Sequence, residues 1–305
     1  MILHHYDLSP YSEKIRLMFG YTGLAWQSAI SPPMPPRPIV DPLVGGYRRI
    51  PVAQIGADLF CDTRIIAAEI AALSNRPELA YTGCSSQAQS FIDQTYSERF
   101  MAIVQTAVPK SVLAMLVTRY WPWQIVKLMK DRAGIGKTSN MPRVKRSDLE
   151  VRLDQFKAEL EQQLLAHDFL FSDTPTLADF AAYHLVWFAD LTRPGVFLDG
   201  CDKALAWQAR MKAFGHGNKA KISRDFVFQT ALESQPRGLS AELLSHPDVG
   251  ASVSIEPNDY ARDSVTGLLV GADDSRWVIA RHTKQFGILH VHFPTSGYQL
   301  TTNGH

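Results

Sequence analysis

Ser9-Pro10-Tyr11-Ser12, near the N-terminus, places two serine hydroxyls and one phenol where a strand is predicted to give way to a helix. Residues 2–6 alternate as in a short strand, and apolar residues then recur at helical spacing after residue 14. The start of a helix presents unpaired backbone N–H groups and a partial positive charge, so an anion placed there is stabilised. The chemistry that this turn favours is therefore stabilisation of an anion such as a thiolate.

A proline lies at the mouth of the next apolar strand, in Ile50-Pro51. Because proline has no N–H group, it cannot serve the ladder of a central strand. A cis peptide bond explains the placement, and it leaves the backbone of Ile50 free to pair with an extended ligand.

Asp62-Thr63 precedes an apolar segment with helical spacing and predicts a capped helix start. Its backbone amides and carboxylate can hold a zwitterionic amino-acid head group. Together with the first turn and Pro51, this cap predicts a binding site for a peptide thiol.

In these three motifs the sequence resembles the cytosolic glutathione transferases. That family carries a Ser-Pro-x-Ser or tyrosine element, a cis-proline after an apolar residue and an acidic residue followed by Ser or Thr. The resemblance implies glutathione as co-substrate, bound by Arg49, Ile50, Pro51, Asp62 and Thr63. Arg49, or its neighbour Arg48, would contact the glycyl carboxylate through charge-assisted hydrogen bonds.

A fourth motif lies in the second half of the chain. Thr176 can cap a helix by accepting from the N–H of Asp179, whose carboxylate can reach back to Thr176. This pair resembles the helical-domain signature of the same family, and the resemblance covers residues 1 to about 230. It implies an α/β thioredoxin-like N-terminal domain followed by an all-helical domain.

Three hydroxyls are candidates for activating the thiol. A free thiol has a pKa of about 8.5, so it is only a few per cent ionised at neutral pH. Ser9 is the first candidate, since it matches the serine of serine-type transferases; Tyr6 and Ser12 are the alternatives. One donor plus the helix end, each contributing about 1 kcal/mol, would lower the thiol pKa by about one to two units.

The expected function is attack of the glutathione thiolate on a small electrophile. A non-catalytic glutathione-binding regulatory or interaction protein is the alternative. Thiol–disulfide exchange is disfavoured, because serine cannot form the mixed disulfide that this exchange requires.

The amino-acid composition excludes several other classes of function. The chain has 305 residues, 46% of them hydrophobic, and a formal net charge of +1, so nucleic acid is not an expected partner. Its three cysteines are widely spaced and suit a reducing cytoplasm without a metal site. The absence of a long apolar run predicts no membrane span. A homodimer is expected by family resemblance.

Three domains are predicted: a thioredoxin-like domain over residues 1–80, a helical domain over 86–232 and a small antiparallel β module over 245–305. We expect the β module to dock on the helical domain and to leave the glutathione groove chemically complete. Residues 131–142, with two glycines, predict an exposed loop. Four aromatic residues of the helical domain are candidates for lining an apolar acceptor pocket: Tyr96, Phe100, Trp121 and Trp123.

Overall fold

The computed structural model describes residues 1–106, 114, 116–141 and 145–303. Strands and helices alternate in the first part, helices dominate the middle and strands form the last part. The strands are β1 (Ile2–His5), β2 (Trp26–Ile30), β3 (Val52–Ile55), β4 (Asp58–Cys61), β5 (Lys219–Lys221), β6 (Ser252–Pro257), β7 (Val265–Ala272), β8 (Arg276–Thr283), β9 (Gly287–Pro294) and β10 (Tyr298–Thr302).

The helices of the described residues lie mostly in the first and middle parts of the chain. A five-residue π-helical turn, Thr95–Arg99, connects α4 to α5. The α-helices are α1 (Pro10–Thr22), α2 (Asp41–Val44), α3 (Thr63–Ser74), α4 (Ser86–Gln94), α5 (Phe100–Thr106), α6 (Pro122–Thr138), α7 (Leu149–Gln163), α8 (Leu177–Thr192), α9 (Asp202–Ala213), α10 (Arg224–Leu232) and α11 (Ala241–Leu244).

All ten strands belong to one sheet, in the order β10-β6-β7-β8-β9-β4-β3-β1-β2-β5. The C-terminal strands β6–β10 are antiparallel to one another, as expected, but β9 pairs in parallel with β4 of the first domain. The expected docking of this segment on the helical domain is therefore wrong. An unpaired β4 edge would leave backbone groups without partners, and β9 supplies those partners.

Side chains reinforce the joint between β4 and β9. Asp58 accepts from His292 Nε2 at 2.8 Å and from the backbone N–H of Arg237 at 2.9 Å. Asp58, His290 and His292 could also be considered as metal ligands, because one carboxylate oxygen and one ring nitrogen from each histidine lie within 4.8 Å of one another. Because Arg237 Nε lies 3.6 Å from the same carboxylate, a divalent cation would meet a positive charge there. We interpret this group as a structural joint.

The sheet separates two apolar cores. One lies between the sheet, α1 and α3 and continues into the helical domain. The other lies on the opposite face and combines Leu59 of β4 and Val52 of β3 with apolar side chains of the C-terminal strands, including Val291 and Phe293. The C-terminal strands thus complete the core of the first domain.

The helical domain confirms one prediction and corrects another. Thr176 and Asp179 form the predicted capping box of α8. The predicted loop over residues 131–142 is wrong for residues 131–138, which continue α6; Pro142 lies outside the described residues. The two glycines of α6 are tolerated within it, despite their low helix propensity. Among the helices described, none has the length and apolarity needed to cross a bilayer.

Candidate functional site

The first turn has the predicted strand-to-helix geometry. Ser9 is the N-cap of α1, with Pro10 at the first helical position, and its Oγ accepts from the N–H of Ser12 at 3.1 Å. The Ser9 side chain is almost fully buried. Ser12 is completely buried, and its Oγ has no hydrogen-bond partner among the described residues. Ser12 therefore supports the turn from inside.

The second and third motifs also adopt the predicted local structure. The Ile50–Pro51 peptide bond is cis, and Asp62 caps α3 by accepting from the N–H of Arg64 at 2.9 Å. The backbone of Asp62 has a φ of 86°, a left-handed conformation that residues other than glycine rarely adopt. Such backbone strain is concentrated at functional sites.

The predicted binding residues lie together around one cavity of about 310 Å³, which we call the polar compartment. Arg49, Ile50, Pro51, Asp62 and Thr63 all contribute to its wall. The remaining wall comes from α1, the segment before β3, α3, the helical domain, and the loops and last strand of the C-terminal segment: Tyr11, Tyr47, Arg64, Asp93, Tyr96, Ser97, Asn258, Asp259, Tyr260, Ser296, Gly297 and Tyr298.

The C-terminal segment thus lines the predicted glutathione groove. The Arg49 guanidinium forms an ion pair with Asp259, donates to the carbonyl of Tyr260 and lies 4.1 Å from the Tyr260 ring centroid. Burial by itself lowers the pKa of Arg49, but Tyr298 and the other phenols around it, together with Asp259, raise it above the usual value. The expectation that the groove is complete without the C-terminal segment is therefore corrected.

A second cavity, of about 430 Å³, adjoins the first, and we call it the apolar compartment. Tyr6 and Ser9 line it, as do Phe100, Met129 and Phe188 of the helical domain. Four residues, Tyr11, Arg49, Ile50 and Tyr260, line both compartments. The two cavities therefore meet at the N-terminal turn of α1.

The candidate aromatic residues divide between the compartments and the surface. Phe100 lines the apolar compartment and Tyr96 the polar one. Trp121 and Trp123 line neither compartment. Each is 65% exposed, and the two rings stack on one another with their centroids 5.2 Å apart. Pro122 lies between them at the first position of α6, where proline is favoured.

Sequence reasoning missed two phenols at the boundary between the compartments, Tyr11 and Tyr260. Burial raises the pKa of Tyr260, while Arg49 and a hydrogen bond with Tyr11 oppose that rise. Burial also raises the pKa of Tyr11 well above its ordinary value. Both phenols therefore remain protonated and able to donate at neutral pH. Tyr11 lies within the quoted motif, but nothing local in the sequence places Tyr260 beside it.

Two family models match this chain. Residues 3–78 match the N-terminal domain of glutathione S-transferase, and residues 145–210 match its C-terminal domain. These matches support the glutathione S-transferase family and, with the structure, confirm the predicted fold class: a thioredoxin-like α/β domain and a helical domain, followed by further β-strands. A comparison with curated proteins found no match.

One solved structure has the same fold over nearly the whole chain. A GST-like protein from Pseudomonas syringae is 28% identical, with a TM-score of 0.78, and the alignment covers 99% of this chain and 98% of that chain. Glutathione S-transferases from Sinorhizobium meliloti (17% identity, TM-score 0.47) and Rhodospirillum rubrum (14% identity, TM-score 0.48) each align with 70% of this chain and 87% of their own. The coverage of the Pseudomonas syringae protein extends the likeness to the C-terminal strands.

Proposed function

We propose that this protein is a glutathione-dependent transferase, in which the thiolate of glutathione attacks a small electrophile. The observation that carries the proposal is the meeting of the polar and apolar compartments at the start of α1. A hydrophilic tripeptide fits the first compartment and an apolar acceptor the second. Their shared wall is where the thiol and the electrophile would meet.

Each predicted binding residue has a role in this arrangement. The γ-glutamyl head would lie at the cap formed by Asp62 and Thr63, and the cysteinyl backbone would run along Ile50 beside Pro51. Arg49 retains further N–H groups beyond the one that serves Asp259, so it can also contact a carboxylate of the ligand. This pose directs the thiol toward the N-terminal turn of α1.

Thiolate formation is what the protein would contribute to the reaction. The helix end and a nearby hydroxyl donor favour the anion, and the proton of the thiol is released to solvent. The thiolate then forms a carbon–sulfur bond. With a halide the leaving group departs as the halide ion; with an epoxide or an enone the electron pair of the broken bond moves to the substrate oxygen, and the product takes up a proton from solvent. Proximity supplies the remaining acceleration, since both reactants are held at one shared wall.

Ser9 is the proposed donor, with Tyr6 as its rival. Both line the apolar compartment, and the Ser9 Oγ accepts from Ser12, which leaves its own proton available to the sulfur. Ser12 lines neither of the two compartments and is the weakest of the three candidates.

One observation favours the alternative, a glutathione-binding protein without catalysis. The C-terminal segment contacts both Arg49 and Asp62, so two of the proposed glutathione-binding residues already have partners within the protein. Steady-state assays with glutathione and a panel of aryl halides, epoxides, alkyl halides and enones separate the two functions. Enzyme-dependent conjugation supports the transferase. Binding of glutathione without turnover of any acceptor would favour the regulatory role.

A further inference from the structure

Lys14 of α1 is completely buried, although it carries an ammonium group. Its Nζ donates to the hydroxyl of Tyr96 and lies 4.6 Å from the centroid of that ring. Among the described residues, no carboxylate lies within ion-pair distance of Lys14. Lysine is almost never fully buried unless it is paired, because removing its charge from water is costly.

Within the part of the chain that the structure describes, the groups near Lys14 include neutral hydrogen-bonding side chains but no carboxylate at ion-pair distance. His184 is also completely buried, and its pKa is lowered to about 3 by burial and by the charge of Lys14. It is therefore neutral at physiological pH. The Tyr96 ring provides a weak cation–π contact, which compensates only part of the lost hydration.

A short chain of hydroxyls leads from Lys14 to the polar compartment. The Tyr96 hydroxyl lies 3.1 Å from Thr63 Oγ1, and both residues line that compartment. Because Lys14 donates to the Tyr96 oxygen, the proton of Tyr96 is directed toward Thr63 or into the cavity. The Thr63 hydroxyl can accept a hydrogen bond from Tyr96 and donate one of its own. This wall can therefore donate hydrogen bonds to an acceptor bound in the polar compartment.

Tyr96 reaches this position from the π-helical turn Thr95–Arg99. A π-helical turn within an α-helical segment is uncommon and often marks a functional site. The turn is thus a second feature, independent of the buried charge, that points to the same wall.

We propose that Lys14 is the buried counter-cation for a ligand carboxylate bound beside Thr63 and Tyr96. The inference rests on the proposed function, and the carboxylate it names is the α-carboxylate of the γ-glutamyl head of glutathione. In the free protein no carboxylate of the described residues forms an ion pair with Lys14, and the ligand supplies the negative charge. Lys14 would act through Tyr96, so it is a positioning residue rather than a catalytic one.

Lys14→Met tests this, because it keeps the chain length and removes the charge. Calorimetry should show glutathione binding weakened about tenfold or more, as for loss of an interaction with a charged group. The melting temperature of the free variant should rise by about 2 °C or more, since an unpaired buried charge is removed. A merely structural lysine would give a lower melting temperature instead.

Two comparisons sharpen the result. A glutathione analogue with 4-aminobutyrate in place of the γ-glutamyl residue lacks the α-carboxylate, so wild type and Lys14→Met should bind it equally well. Lys203→Met makes the same change at an exposed position and should alter neither binding nor stability. Tyr96→Phe, which keeps the ring but breaks the hydroxyl chain, should weaken binding of glutathione more than binding of the analogue.

Equal glutathione affinity in wild type and Lys14→Met would overturn the inference while leaving the proposed function intact. Failure of the wild type to bind glutathione would instead remove the proposed function. In that case L-glutamate, followed by thermal shift, tests Lys14 itself: stabilisation of the wild type but not of Lys14→Met supports the counter-cation role. No difference between the two proteins refutes it.

Discussion

The hydroxyl of Tyr298 donates to Asp62 Oδ2 at 3.1 Å, which connects the last strand of the sheet to the cap of α3. The same hydroxyl lies 2.6 Å from that of Tyr47, so two phenols and one carboxylate form a hydrogen-bonded network in the wall of the polar compartment. Tyr298 is 6% exposed. The C-terminal segment therefore helps to fix the residue that is proposed to hold the amino-acid head of the ligand.

Tyr298→Phe should weaken glutathione binding by about five- to twentyfold, because a hydrogen bond to a charged group contributes about 1.5–3 kcal/mol and part of it is retained by water. Calorimetry measures the change. Tyr21→Phe is the matched control, since its hydroxyl accepts from Arg76 and it lines neither compartment. Equal losses in the two variants would show a general effect on stability rather than a role at the site.

Removal of residues 237–305 should leave an aggregation-prone protein that no longer binds glutathione. The truncation strips β9 from β4, exposes the second apolar core and deletes Asp259, Tyr260 and Tyr298 from the polar compartment. Size-exclusion chromatography and calorimetry would report both effects. A monodisperse truncated protein with unchanged glutathione affinity would refute the joint construction of the site.

Ser9→Ala should lower kcat by about ten- to a thousandfold, as expected for the loss of one preorganised donor to an anion. Loss of the helix cap should also cost about 1 kcal/mol of stability, so thermal melts must accompany the kinetics. Tyr6→Phe is the paired variant, because Tyr6 lines the same compartment. Activity lost in Tyr6→Phe and kept in Ser9→Ala would reverse the assignment of the donor.

Stability should fall as the pH drops below about 6.5. Burial lowers the pKa of His4 to about 4 and the pKa values of His5 and His184 to about 3, with the Arg16 charge adding to the effect at His5 and the Lys14 charge at His184. The unfolded chain then binds protons that the folded protein does not, and each histidine contributes a loss of about 2 kcal/mol at pH 5.

Asp179 acts in the opposite direction. Burial raises its pKa to about 6, so the folded protein takes up one proton between pH 7 and 5 and gains a smaller amount of stability. Urea unfolding at pH 7.5 and 5 should still show a net loss, which His184→Gln should reduce. A free energy of unfolding that is constant over this range would contradict the assignment of buried neutral histidines.

Local signals predicted much of the first domain and of the candidate site. The cap at Ser9, the strand after Pro51, the Asp62 cap and the Thr176–Asp179 box each depend on residues close together in the chain. These signals located five residues of the polar compartment. The homodimer and the roles of the individual site residues stay predictions.

Long-range pairing accounts for what the sequence did not predict. Nothing in residues 287–294 indicates that β9 will choose the edge of β4, more than 200 positions earlier, rather than the helical domain. Asp259, Tyr260 and Tyr298 reach the site only through that choice. The burial of Lys14 could not be predicted from the sequence either, because it depends on helices of the second domain that pack against α1.

Isothermal calorimetry of the full-length protein measures whether the polar compartment binds glutathione. Wild type should bind with a dissociation constant of about 1 mM or tighter, and Asp62→Ala should weaken that binding by about tenfold or more, through loss of the contact to the amino-acid head. No heat of binding at saturating glutathione, together with no thermal stabilisation, would show that the polar compartment is not a glutathione site.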